Sequence, residues 1–532
     1  MKDTIETIRR SSFRFFSGTL ISRITGMLRD ISMAYVFGAT PSIAAFMVAF
    51  RFAHLVRRLF GEGALQSAFV PEFEALRHEN EERAFSFFRD LMICLSLFLI
   101  FLIAISSALL YSFLSWENLQ HSHGEIIWLT LLMLPSLLFI CLFGLNASFL
   151  QCEKKYFIPS IAPVAFNIIW IMSVFSLQDM PVEQAMPWLS CGVVIACLFQ
   201  WLLTLPQTLT SMKKILHSFW ASLKFNSTDL RYLISPLILG ILGVAASQIN
   251  NAIDSLFARS AEAEGPAFLW YAIRIQQLPL ALFGIAIAGA VLPPLSRAIK
   301  RQQQQEYHDF LHDALYRTWI FMLPLTAVLF IMGDTVVSLL YRRGDFGAHA
   351  VIQTTYCLWA YGIGLIPAAL VLILAPACYA QSNYTLPAIA SFATMGLNLI
   401  LNTLFIHLLD WGAVSVALAT SISAWVNFIF LGWSLFKLGT PLFSWVLFYK
   451  TIPITLSSAL ALWGTYKIRL LLGHVPFFSQ TDFTSSFYTQ FSAFFNQAFT
   501  FSLLLFFFSF ILIWSQKYIH SYVLSPEGVQ KR

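Results

Sequence analysis

The stretch "FRFFSGTLISRITGMLRDISMAYVFGA", Phe13 to Ala39, decides how the chain is read. It exceeds the roughly 20 residues that a helix needs to cross hydrocarbon. Yet Arg23, Arg29 and Asp30 stand inside it. A charge at the centre of a membrane helix costs roughly 2.5–3.5 kcal/mol even on a lenient insertion scale. The stretch is therefore either not a span, or a span with one wet or partnered face. Composition decides between these. The chain has 532 residues, 58% hydrophobic and 11% charged, against about 25% charged in soluble domains. Its mean hydropathy is +0.70. So little polar surface cannot coat a soluble globule of this size, and the fold class expected is an all-α polytopic membrane protein. The apolar runs are continuous rather than alternating, which argues against a transmembrane β-barrel.

Working outward at about 20 apolar residues per span, fourteen candidate helices emerge. They cover 13–37, 44–70, 91–110, 126–150, 157–176, 187–205, 232–257, 267–295, 318–332, 350–375, 386–406, 412–433, 451–470 and 496–515. The leading "MKDTIETIRRSSFRFF" lacks a short apolar core with a small-residue cleavage site, so the first span is expected to stay as an anchor. With Arg14 counted in the N-terminal segment and Lys467 and Arg469 in the loop that follows them, alternate loops from the N-terminal side hold 22 of the 33 Lys and Arg residues. The opposite side holds 5 and the spans hold 6. Basic loops stay inside, so both termini are expected in the cytoplasm of a multi-pass protein. Arg342 and Arg343 are exceptions on the outer side.

A shift of 223 residues lays "AFRFAHLVRRLFGEGALQSAFVP" (Ala49–Pro71) over "AIRIQQLPLALFGIAIAGAVLPP" (Ala272–Pro294). Arg51 then meets Arg274, Leu59-Phe60-Gly61 meets Leu282-Phe283-Gly284, and Pro71 meets Pro294. Two six-span lobes related by an internal repeat are expected, at 1–225 and 226–440, with a C-terminal helix pair and tail at 441–532. Paired halves around a midplane site are a transporter architecture. The seven Cys fall mostly inside apolar runs without a C-x-x-C pair, and are read as small packing residues.

The six basic residues inside spans are Arg23, Arg29, Arg51, Arg57, Arg58 and Arg274. Facing lipid, they would cost roughly 15–20 kcal/mol together, more than the roughly 5–15 kcal/mol that holds a domain folded. They must face water, acids or a ligand. Arg57 and Arg58 can snorkel at a helix end. The nearby acids are Asp30 and Glu62, too few for six arginines, so the site stays cationic. Arg51, His54 and Arg58 share one face of a continuous helix, suited to an anion, and the planar guanidinium fork fits phosphate. A second polar set comprises Asp254, Asn398, Asn402, Val416 and Thr420. Its oxygens suit a small cation such as Na⁺, and equally suit ordinary hydrogen bonding between helices.

No nucleophile elbow, zincin or P-loop motif is present, and Gly362-Ile363-Gly364 reads as helix packing. A membrane glycosyltransferase would be expected to carry acids in an early outer loop, but "GATPSI" has none. No enzyme activity, cofactor or nucleic-acid partner is expected.

The segments "SRITGMLRD", "VFGAT" and "AFRFAHLVRRLFGEGALQSAFVPEF" resemble the MurJ (MviN) family of lipid II flippases, within the multidrug/oligosaccharidyl-lipid/polysaccharide exporter superfamily. Further along, "ILGVAASQIN", "YAIRIQQLPLALFGIAIAGAVLPPLSR" and "LLYRRGDF" keep the family's order. The resemblance implies fourteen helices, a cationic cavity with alternating access, and a C-terminal pair forming a lipid groove. Its essential arginines fall on Arg23, Arg29, Arg57 and Arg274, and its sodium site on Asp254, Asn398, Asn402, Val416 and Thr420. The substrate implied is lipid II, in a bacterial inner membrane, with membrane lipids and other cell-wall synthesis proteins as further partners. Ala44, Ile273 and Gln277 stand where the family often has acids, and Ala53-His54 where it has Pro-Asn. That puts the usual gating salt bridges in doubt. The alternatives are another exporter of the superfamily, which would carry cavity acids if its cargo were cationic drugs, and a non-transporting scaffold.

Overall fold

The computed structural model describes residues 5–55, 57, 64–114, 121–212, 228–440, 445–472, 502–513 and 515. They fold into helices joined by short turns, grouped in two compact units, Met1–Arg259 and Ser260–Arg532.

The first unit runs α1 (Ile5–Phe37), α2 (Pro41–Ala53), α3 (Ala64–Glu79), α4 (Glu81–Leu114), α5 (His121–Met133), α6 (Ser136–Cys152), α7 (Phe157–Ser176), α8 (Val182–Ser211) and most of α9 (Thr228–Ala261). The second contains α10 (Gly265–Pro279), α11 (Ile285–Lys300), α12 (Gln304–Tyr341), α13 (Ala348–Ile363), α14 (Leu365–Ala380), α15 (Thr385–Thr403), α16 (Val414–Lys437), α17 (Trp445–Leu472) and α18 (Ser502–Ile513). Six helices among the described residues are long and apolar enough to cross a membrane, or eight if each bent pair is one span. The bent pairs are α5–α6, turning by 44°, and α13–α14, turning by 41°. Spans that read as single apolar runs are thus built as broken helices. A break leaves backbone carbonyls that lipid cannot satisfy, so it survives only where protein supplies donors. Over its most apolar window α4 has a mean hydropathy of 2.8 with 11% of that window buried. Such a surface belongs in lipid, not water.

Each unit packs its helices in the same order. In the first, α2 packs on α5, α3 on α4 and α6, α4 on α5 and α6, and α8 on α5, α6 and α7. In the second, α10 packs on α13, α11 on α12 and α14, α12 on α13 and α14, and α16 on α13, α14 and α15. The C-terminal helices are anchored on α12, where Ala327, Ile331 and Met332 pack with Ala461, Leu504 and Phe508.

The continuous helix expected over 44–70 is instead interrupted. Thr40 caps α2, with Pro41 in its first turn, a favourable start. The helix ends at Ala53. The backbone N–H of His54 donates to the Phe50 carbonyl at 3.0 Å, and its ring Nδ1 lies 3.1 Å from the same oxygen. The chain then tightens, with the Arg57 N–H donating to the His54 carbonyl. Arg51 and His54 therefore do not belong to one unbroken helix face reaching Arg58, and Arg58 and Glu62 lie outside the described residues.

Candidate functional site

The two arginines of the opening stretch have different surroundings. Arg23 is exposed, whereas Arg29 is 7% exposed. Arg29 donates from Nε and Nη2 to one oxygen of Asp30, at 3.1 and 2.8 Å. Its Nη1 reaches Asn167 Oδ1 on α7 at 3.3 Å, and its guanidinium lies 4.7 Å from the Trp170 ring centroid. Asn167 also donates to the Ser22 carbonyl and to Thr25 Oγ1, which ties α7 to the α1 turn that bears Arg23. A carboxylate, an amide and a ring face together make a buried cation tolerable.

Arg51 is half-buried and donates to the Asn251 carbonyl of α9 at 3.1 Å. His54 is buried, stacks on Phe50 at 4.0 Å between centroids, and sets Nε2 3.9 Å from Cys197 Sγ on α8. Arg57 is half-buried. The first unit thus holds Arg23, Arg29, Arg51, His54 and Arg57 on α1, on α2 and at its end. Asp254 is 3% exposed on α9, and Asn250 Nδ2 donates to it at 3.2 Å.

In the second unit, Arg274 lies over the Trp270 ring at 4.5 Å. Asn402 Nδ2 donates to Asn398 Oδ1 at 2.8 Å, Asn398 Nδ2 to Thr420 Oγ1 at 3.4 Å, and Thr420 Oγ1 to the Val416 carbonyl at 3.0 Å. These four residues meet in one chain of hydrogen bonds between α15 and α16. Amide, hydroxyl and carbonyl oxygens are hard donors that fit Na⁺ by type. Rotating the two amides would turn more oxygen toward an ion.

Sequence reasoning missed Asn167 and Trp170 as partners of Arg29, and it missed Arg259. A polar or aromatic residue on an apolar helix gives no signal of its partner until the helices are packed.

Residues 33–481 match the family model described as Lipid II flippase MurJ. The chain belongs to the MurJ family. A probable lipid II flippase MurJ from Chlamydia pneumoniae is 32% identical over 473 residues, covering 88% of this chain and 85% of its own. One from Chlamydia muridarum is 34% identical over 434 residues, covering 81% and 79%. A solved lipid II flippase MurJ in an inward closed conformation has the same fold, with a TM-score of 0.75 at 24% identity over 96% of this chain and 99% of that one. An inward-facing multidrug transporter of the MATE family reaches 0.61 at 14% identity, over 80% and 98%. The match to the family model begins after Arg29, so these geometries carry the argument for the α1 arginines.

Proposed function

We propose that this MurJ-family chain moves lipid II, through its cationic residues, from the inner to the outer leaflet of a bacterial cytoplasmic membrane. It is a transporter and not an enzyme. The observation that carries this reading is the set of arginines built into apolar helices. Asp30 serves Arg29, and Arg274 lies over the Trp270 face. The pyrophosphate diester of lipid II is a dianion, and guanidinium forks replace its water shell better than point charges do. The polyprenyl tail needs no such replacement and stays in lipid. Residues 1–225 and 226–440 form the two lobes in this proposal, residues 441–532 the C-terminal pair and tail, and both termini are cytoplasmic. Arg23, Arg29, Arg51, Arg57, Arg274, His54 and Glu62 serve the substrate. Asn398, Asn402, Thr420 and the Val416 carbonyl hold Na⁺, with Asp254 contributing charge.

The test is lipid II flipping by the full chain in liposomes, with and without sodium. Arg23→Ala and Arg274→Ala should each slow flipping at least about tenfold, the scale of one lost charge-assisted hydrogen bond. Arg29→Lys should also be impaired, because an ammonium cannot form the fork. Arg342→Ala should be nearly silent. If the alanine variants flip like wild type, the arginines are structural and the reading fails. Indifference to sodium in both wild type and Asp254→Ala would reduce the polar set to helix packing and leave membrane potential as the drive.

A further inference from the structure

The last turn of α9 carries an arginine, Arg259, that no sequence motif singles out. Arg259 Nη1 donates to the Pro41 carbonyl, at the start of α2, at 2.7 Å. Its Nη2 stands 4.0 Å from Glu125 Oε2 on α5, and the Arg259 side chain is 8% exposed. Glu125 also accepts a hydrogen bond from Ser42, with the charge of Glu183 on α8 nearby. Eight residues earlier on α9, the Asn251 carbonyl is held by Arg51 of α2. The two contacts occur in opposite order along the two helices. They lie about 15 Å apart along α2 and about 12 Å apart along α9, at 1.5 Å per residue. The helices therefore run antiparallel here, bridged at both ends by arginine side chains. Between the staples, Ser255 is 1% exposed and shares the helix face of Asn251 and Arg259, at i and i+4.

We infer that Arg259 is the outer latch of the transport cycle. It holds α9 against α2 and α5 while the outward path is shut, and it must let go for that path to open. This rests on the flippase reading above, in which α9 is the first span of the second lobe and α2 and α5 belong to the first. The chemistry suits a releasable contact. One short bond goes to a carbonyl, while the carboxylate at 4.0 Å attracts the guanidinium without gripping it. Releasing Arg259 at the membrane surface returns it to water, so opening leaves no charge stranded. Arg51, deeper on α2, is the second staple on the same pair of helices.

The experiment places Ser255→Cys in the full chain in vesicles and measures its labelling by a membrane-impermeant maleimide from outside, corrected for the chain without it. No lipid II is present, so failure of the latch is distinguishable from failure of the flippase reading. With the latch intact, labelling should be slow. Arg259→Ala and the isosteric Glu125→Gln should each speed it by about tenfold. The reciprocal pair Arg259→Glu with Glu125→Arg should return it toward the parent rate. Unchanged labelling in Glu125→Gln and Arg259→Ala, or a swap no slower than Arg259→Ala alone, would overturn the proposal.

Discussion

Arg29 solves the problem of a cation inside a membrane helix with a neighbour in sequence. Asp30 offers one oxygen to two guanidinium nitrogens. The chain uses the same dipeptide again at Arg89-Asp90, with bonds of 2.9 and 2.7 Å and Arg89 1% exposed. That half of the arrangement was legible in the sequence, because the acid stands beside the base. The other half was not. Asn167 lies 138 residues from Arg29, and only the packing of α7 on α1 brings it there. Asn167 uses its whole amide, accepting from Arg29 and donating to the Ser22 carbonyl and Thr25 Oγ1. Asn167→Ala should therefore cost about 1–3 kcal/mol, the penalty of leaving buried partners unmet. It should lower the thermal transition in detergent and slow flipping as Arg29 loses its orientation. A variant as stable and active as wild type would show that Asp30 and Trp170 suffice.

Helices were legible as apolar runs, but their breaks were not, because the groups that make a break affordable come from other helices. At the α13–α14 bend, Ser421 Oγ donates to the Ala360 carbonyl at 2.6 Å, Gln276 Nε2 to that of Tyr361 at 3.1 Å, and Trp425 Nε1 to that of Ile363 at 3.0 Å. Three carbonyls at or beside the bend thus have side-chain donors from α10 and α16. Gly364 lets α16 come this close, since a Cβ there would stand 2.7 Å from the Cα of Ser421. The Gly362-Ile363-Gly364 run is a packing feature, as its setting in an apolar helix suggested. Gly364→Val should push α16 away and strain all three bonds, costing about 1–3 kcal/mol by overpacking. Gly396 on α15 is the control. Its Cβ would meet nothing within 4 Å, so Gly396→Ala should be neutral, or stabilising by about 0.5–1 kcal/mol through helix propensity. Thermal unfolding of both variants in detergent checks the contrast, and equal effects would mean that close approach at Gly364 is not what sets the bend.

Among the described residues, the repeat visible as a 223-residue shift has a counterpart in the packing order, since most helix pairs of one unit recur in the other, the packing of α1 on α7 excepted. The repeat also constrains topology. α4 has 34 residues and α12 has 38, about 51 and 57 Å at 1.5 Å per residue. Both exceed a hydrocarbon core of about 30 Å, so each must project from the membrane at one end. In both, the charged end is the N-terminal one: Glu81, Glu82, Arg83, Arg89 and Asp90 in α4, and Glu306, Asp309, Asp313 and Arg317 in α12. If the halves are parallel, both ends project on the same side, and the 22-to-5 basic split predicts that this side is cytoplasmic. Cysteines placed at Ser86 and Gln305 should then both resist an impermeant maleimide applied to intact cells, while one at Ser122, in the first turn of α5 beyond the far end of α4, should label. Labelling at only one of Ser86 and Gln305 would break the parallel repeat. Labelling at both, with protection at Ser122, would keep the repeat but invert the membrane orientation, and the cationic residues would then serve transport in a cycle run from the other face.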